Sequence, residues 1–201
     1  MTTRVGLFVF DEVEVLDFAG PYEVFTTASR VHRRTQPVGP EPFSVVTISR
    51  YGGRVTTRAG LRIEADHTIA EHPDVDLLIV PGGVVAAELE KPAVIRWIEQ
   101  TANKAPLTAS VCTGAFLLAE AGLLNGRTAT THWEDLDDLR QAFPGVNVLP
   151  GRRWIDQGSV VTSGGISAGI DMSLHLVERL AGRELAVKTA RQMEFDWTEN
   201  G

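Results

Sequence analysis

The chain contains the stretch Ser110-Val111-Cys112-Thr113-Gly114, and the segments on its two sides differ in character. The preceding run, Leu107–Val111, is apolar and partly β-branched, which is typical of a buried strand. The following run, Ala115–Ala121, is rich in strong helix formers and ends at Gly122. A strand, a sharp turn at a nucleophilic side chain and a helix form the layout of a nucleophile elbow, here with cysteine in place of serine. The stretch therefore predicts an α/β fold with Cys112 on the turn.

Two interpretations of Cys112 follow from the residues alone. A lone free cysteine is often a buried and inert residue. On a strand-to-helix turn, however, open backbone N–H groups and the positive end of the helix dipole would stabilise a thiolate, and Gly114 relieves crowding. The pattern leaves an inert thiol and a nucleophile equally open.

Composition limits the possible functions. The 201 residues are expected to form one domain, residues 1–201, with 43% hydrophobic and 22% charged residues, as in ordinary globular proteins. A net charge of −7 argues against general nucleic-acid binding. One cysteine cannot form an internal disulfide, and no apolar run is long enough for a signal peptide or a membrane span. We therefore expect a cytoplasmic protein with no nucleic-acid or membrane partner.

Apolar runs alternate with helical patterns along the chain, which predicts a mostly parallel central sheet with helices on both faces. The main predicted strands are Val5–Phe10, Phe43–Ser49, Val75–Val80, Leu107–Val111 and Val160–Thr162, and the main predicted helices are Val15–Ala28, Pro92–Ala102, Ala115–Ala121, Glu134–Phe143, Ser167–Ala181 and Arg183–Met193. Arg54–Thr57 and Leu61–Ala65 are predicted to pair as a hairpin, and the basic, proline-containing segment Ser29–Pro42 is predicted to be a loop. Ligands in such sheets bind beyond the carboxyl ends of the strands.

Several residues at that edge are candidates for a site. Asp17 lies between two apolar residues and is expected to be half-buried, where a carboxyl group keeps its proton more readily and can donate a hydrogen bond to a thiolate. Gly82 and Gly83 follow a predicted strand and leave backbone N–H groups open, as an oxyanion-hole loop does. His132 follows another strand and is expected near the same edge, whereas His175 is expected to pack within a helix. No histidine or cysteine spacing indicates a metal site.

Together these motifs resemble the ThiJ/PfpI superfamily, which has a flavodoxin-like three-layer fold, and within it the isocyanide (isonitrile) hydratase branch. The resemblance rests on the motifs Phe10–Pro21, Pro81–Gly83, Ser110–Gly114, Ala129–Trp133 and Ser163–Asp171. It implies that Cys112 is the nucleophile and Asp17 its proton partner, with Thr113 as a hydrogen-bonding group beside them.

The resemblance also implies a pocket and a partner. The N–H groups of Gly83 and Thr113 would form the anion hole, and Gly165 and Ile166 would line the pocket, often across a homodimer interface. The substrate would be a small molecule, with no cofactor and no metal. Peptidase-like members carry histidine directly after the nucleophile, and this chain has Thr113 there, which disfavours a protease.

The leading hypothesis is therefore hydration of an isocyanide to an N-formamide through a covalent thioimidate on Cys112. Glyoxalase-type chemistry on small reactive carbonyls is an alternative, although that branch usually carries glutamate at the position of Asp17. A second alternative is a ligand- or redox-sensing domain, because AraC-type regulators carry a similar fold in their N-terminal half. No helix-turn-helix region follows in this sequence, so direct DNA binding is not expected.

Overall fold

The structure is a computed structural model in which residues 1–199 are described. Its strands are β1 Thr3–Phe8, β2 Phe43–Ser49, β3 Gly53–Thr56, β4 Arg62–Ala65, β5 His67–Thr68, β6 Leu77–Val80, β7 Leu107–Val111, β8 Thr128–Ala129, β9 Asn147–Val148, β10 Trp154–Asp156 and β11 Val160–Ser163. Its helices are α1 Val15–Thr35, α2 Ala86–Leu89, α3 Pro92–Lys104, α4 Gly114–Glu120, α5 Leu136–Ala142, α6 Ala168–Ala181 and α7 Arg183–Gln192, with a 3-10 turn at Trp133–Asp135.

Seven strands form the central sheet in the order β10-β11-β7-β6-β1-β2-β5. All neighbouring strands are parallel except β10, which is antiparallel to β11. The hairpin β3–β4 and the parallel pair β8–β9 are separate from this sheet. The fold is therefore the α/β arrangement with a mostly parallel sheet that the sequence predicts.

Strand side chains alternate between two apolar layers, because successive residues of a strand point to opposite faces. Phe8 and Leu78 belong to the cluster that includes residues of α3 and α4, whereas Leu7 and Ile79 belong to the cluster that includes residues of α1, α6 and α7. Both faces of the sheet are thus covered, which explains why every residue of β6, β7 and β11 is buried.

The predicted loop at Ser29–Pro42 is wrong in its first half, because α1 continues to Thr35. Val31 is buried and extends the apolar stripe of the helix, and no glycine or proline occurs between Ser29 and Pro37. Basic side chains at His32–Arg34 also suit the negative end of the helix dipole. The hairpin is confirmed, with its strands at β3 and β4.

The order of the strands places a crevice beside β1. The chain passes from β1 to β2 on one side, whereas β6 and β7 lie on the other side. The carboxyl ends of β1, β6 and β7 therefore meet at a topological switch point, where open α/β sheets bind ligands.

Within residues 1–199, no helix combines the length and the apolar character needed to cross a bilayer.

Candidate active site

Cys112 lies on the turn between β7 and α4 in a left-handed backbone conformation, with φ of 56°. Such a conformation is costly for a residue other than glycine, so the surroundings must hold it in place. The Cys112 N–H lies 3.2 Å from the Ser163 carbonyl and 3.3 Å from that of Gly164, and the Thr131 hydroxyl donates to the Cys112 carbonyl at 2.9 Å. The nucleophile elbow is therefore fixed by residues from two later segments of the chain.

Asp17 is fully buried in the first turn of α1, rather than half-buried as the sequence predicts. Its Oδ2 accepts the Gly82 N–H at 3.1 Å, and its Oδ1 has no hydrogen-bond partner among residues 1–199. Burial raises the pKa of Asp17 from 3.8 to about 7; the hydrogen bonds with Gly82 and Cys112 oppose the rise, and the charge of Glu14 adds to it.

The Cys112 thiol is also buried. Its pKa is raised, whereas the sequence predicts a stabilised thiolate and therefore a lowered pKa. Burial and the negative charge of Asp17 raise the pKa of Cys112, and the Thr113 N–H opposes the rise. A free thiolate beside an ionised Asp17 is therefore disfavoured. Each group shifts the pKa of the other, so the two titrate as a coupled pair, and above about pH 7 one proton is shared between the carboxylate and the sulfur.

The two glycines after β6 allow the backbone to approach this pair closely. A Cβ atom at Gly82 would lie 2.6 Å from the Thr113 nitrogen and 2.9 Å from Asp17 Oδ2. Gly83 has a φ of 135°, and its N–H donates to the Thr113 hydroxyl at 2.9 Å while its carbonyl accepts from the same hydroxyl. An anion that uses the Gly83 N–H must therefore share it with Thr113.

A cavity of about 290 Å³ opens above the sulfur. Of the residues that the sequence suggests, Gly83, Cys112, Thr113, His132 and Ile166 line it. Glu14, Arg58, Val84, Glu134 and Asp135 line it as well.

Gly82 and Gly165, which the sequence also suggests for the pocket, do not line this cavity, although Gly165 lies beside the sulfur. A Cβ atom there would lie 2.8 Å from Cys112 Sγ and 2.4 Å from the His132 ring. This glycine therefore lets the imidazole lie close to the sulfur.

His132 is the one imidazole among the lining residues, and it comes from the segment after β8. Its Nδ1 lies 3.3 Å from Asp135 Oδ2 and 3.4 Å from the Glu134 N–H. The ring is thus held at Nδ1 by the 3-10 turn that follows it. The proximity of the two acids to His132 in the sequence is a signal that could have marked them as site residues.

Arg58 is a site residue that the sequence alone does not reveal. It lies in the turn of the hairpin β3–β4, where its N–H donates to the Val13 carbonyl at 3.0 Å. Its guanidinium lies 3.8 Å from Glu14 at the mouth of the cavity. The hairpin reaches the cavity only through tertiary contacts of the folded chain. The sequence around Arg58 therefore looks the same as that around an ordinary solvent-exposed arginine.

Among residues 1–199, no group of three or more potential ligands is arranged to hold a metal ion.

A family model described as the DJ-1/PfpI family matches residues 3–179. The chain belongs to the DJ-1/PfpI family. Isonitrile hydratase of Pseudomonas putida is 33% identical over 97% of this chain and 79% of its own length. The HTH-type transcriptional regulator CdhR of Pseudomonas aeruginosa is 31% identical over 89% of this chain, which spans only 51% of the regulator.

A solved structure agrees with this membership. The crystal structure of a ThiJ/PfpI family protein from Pseudomonas syringae superposes with a TM-score of 0.85 at 25% identity, over 99% of this chain and 77% of that one. The fold of the DJ-1/PfpI family is thus present over the whole described sheet.

Proposed function

We propose that this protein hydrates an isocyanide to an N-formamide. The observation that carries the proposal is the buried, electrostatically coupled pair of Cys112 and Asp17, in which burial raises the pKa of the carboxyl to about 7. The pair supplies a sulfur nucleophile and an acid in one buried site, and no imidazole occupies position 113. The 33% identity to isonitrile hydratase supports the same chemistry.

The reaction balances with these two residues and water. The sulfur attacks the terminal carbon of R–N≡C as the shared proton moves to Asp17, and Asp17 then gives that proton to the carbon. This forms the thioimidate R–N=CH–S on Cys112. Water adds to the same carbon and gives a proton back to the carboxylate. The C–S bond breaks, the sulfur leaves with its electron pair, and the product tautomerises to R–NH–CHO.

A sensing domain is the second candidate, and the 31% identity to a transcriptional regulator favours it. In that role Cys112 would respond to a ligand or an oxidant instead of turning over substrate. Glyoxalase-type chemistry has weaker support, because the proton partner here is an aspartate.

The test is formamide production from p-nitrophenyl isocyanide by the purified protein. We expect turnover by the wild type, none by Cys112→Ala, and a loss of at least about 100-fold in Asp17→Asn, since general acid catalysis typically contributes that much. Asp137→Asn is the matched control, because its side chain is 94% exposed and lies outside the cavity.

Two outcomes would contradict the proposal. One is full activity of Cys112→Ala. The other is no formamide from the wild type; if mild peroxide then adds oxygen to Cys112 in a mass spectrum, the sensing role is supported instead.

A further inference from the structure

A second cavity, of about 130 Å³, lies at the carboxyl ends of β1 and β2 beside the hairpin β3–β4. None of its lining residues lines the cavity above Cys112, and the proposed reaction does not use it. Since liquid water takes about 30 Å³ per molecule, there is room for a few non-hydrogen atoms only. Any ligand must therefore be small.

Glu88 is the unusual residue of this cavity. It comes from α2 and is only 2% exposed, yet it carries a carboxyl group. Its Oε1 accepts a hydrogen bond from the Lys91 ammonium, whereas its Oε2 has no hydrogen-bond partner among residues 1–199. A buried carboxylate oxygen without a donor is costly, so this position favours a molecule that brings an N–H group.

The remaining charges around the cavity are mainly positive. Arg50 and Arg54 line it, and no carboxylate pairs with either guanidinium among the described residues. Asp11 also lines it, but its Oδ1 already accepts the Thr56 N–H at 2.8 Å. The Ser49 hydroxyl accepts the Gly52 N–H at 3.0 Å, which leaves its proton for another acceptor.

We propose that this cavity, formed by Glu88, Lys91, Arg50, Arg54 and Ser49, is a binding site for a small amino carboxylate. The Glu88 side chain turns so that its enclosed Oε2 accepts from the ammonium group, and the ligand's carboxylate accepts from the two guanidinium groups and the Ser49 hydroxyl. Guanidinium groups bind carboxylates through paired N–H donors, which suits an acid at the open end of the cavity. The ammonium group of the ligand thus meets a carboxylate oxygen that has no donor, and its carboxylate meets two guanidinium groups that pair with no carboxylate among the described residues.

The experiment is a titration of the ¹⁵N-labelled full chain with glycine, followed through its amide chemical shifts. Saturable shifts with a millimolar Kd are expected at the amides of Gly52 and Glu88. Acetate and methylammonium each carry half of the ligand and are expected to bind at least about tenfold more weakly at matched ionic strength. Absence of saturable shifts with glycine, or acetate binding as tightly as glycine, would overturn the proposal.

Two variants locate the site. Glu88→Gln removes the charge from the buried acceptor, and Arg54→Ala removes an exposed guanidinium; each is expected to raise the Kd for glycine at least about tenfold. Arg96→Ala is the control, because Arg96 is an exposed arginine on α3 that does not line the cavity. An unchanged Kd in Arg54→Ala would overturn the proposal even if Glu88→Gln did not fold.

Discussion

At the scale of single residues, the feature that matters most is a carboxyl group placed where water cannot reach it. Asp17 is fully buried beside Cys112, and one of its oxygens has no partner among the described residues. Such a group favours the folded state only while it holds its proton. The Asp17 carboxyl is therefore expected to lower the free energy of unfolding at neutral and alkaline pH.

The pKa of Asp17 gives the direction of this cost. It rises from 3.8 to about 7 on folding, so its stabilising effect is complete below about pH 4 and is lost as the pH rises through 7. Asp17→Asn carries no charge and is expected to raise the free energy of unfolding at pH 8 by up to about 4 kcal/mol, with little change at pH 4. Urea unfolding at both values measures this. A variant less stable than the wild type at pH 8 would contradict it.

The sequence predicts part of this site because some residues carry a local signal. Cys112 follows a predicted buried strand and precedes a run of helix-forming residues, and Asp17 lies between apolar neighbours. Arg58 has no comparable signal, since only the folding of the hairpin brings it to the cavity. The raised pKa of Cys112 was also not predictable, because it depends on burial and on a carboxylate about 95 positions away in the sequence.

At the scale of elements, the nucleophile elbow depends on how closely α4 approaches β6. A Cβ atom at Gly114 would lie 2.1 Å from the Val80 carbonyl oxygen and 2.8 Å from that of Pro81. Backbone atoms cannot move aside as a flexible side chain can. Glycine at position 114 is therefore what lets the helix begin directly against the strand and hold the turn at Cys112.

Replacement of this glycine is expected to separate the two elements. Gly114→Ala should lower the free energy of unfolding by about 3 kcal/mol, in the range of overpacked cores, and reduce formamide production as the turn shifts. Gly145→Ala is the control, because its nearest neighbour for a Cβ is 3.8 Å away, and it should change stability by less than about 0.5 kcal/mol. Equal effects of the two substitutions on stability in urea would contradict this account of the turn.

Apolar patterns in the sequence identify the buried strands but do not determine where every helix ends. The pattern of β6 is continuously apolar and that of β1 is so from Val5 on, so each is recognisable as a buried strand. The end of α1 is not recognisable in this way, because the basic residues after Ala28 suit a loop as well as a helix terminus. Burial of Val31 against the core extends the helix, and that contact is a property of the folded chain.

At the scale of the whole molecule, the strand order brings residues from distant parts of the chain to one edge of the sheet. Asp17, Gly82, Cys112 and Gly165 come from four separate connections, and they meet where β1, β6 and β7 end. Exposed apolar side chains lie near this edge, with Leu16 39% and Ile166 38% exposed. We propose that this face pairs with a second copy of the chain, as the family resemblance implies.

A homodimer through this face has a direct test in the mass measured by light scattering after gel filtration. The wild type is expected at twice the chain mass at micromolar concentration. Leu16→Glu places a charge on the proposed interface and is expected to give the monomer mass. Val187→Glu, at a 47% exposed position on α7, should leave the dimer intact. A monomeric wild type would contradict the proposal.

The shared proton of Cys112 and Asp17 is tested most directly by the pH dependence of kcat/KM for p-nitrophenyl isocyanide. With both groups protonated there is no sulfur nucleophile, so kcat/KM should rise about tenfold per pH unit up to about 7, the pKa of Asp17, and then stay level to about pH 9. In Asp17→Asn the plateau should vanish, with a lower rate that still rises at the highest pH, because burial keeps the pKa of Cys112 raised. A level profile in the wild type, or the same profile in both proteins, would contradict the account.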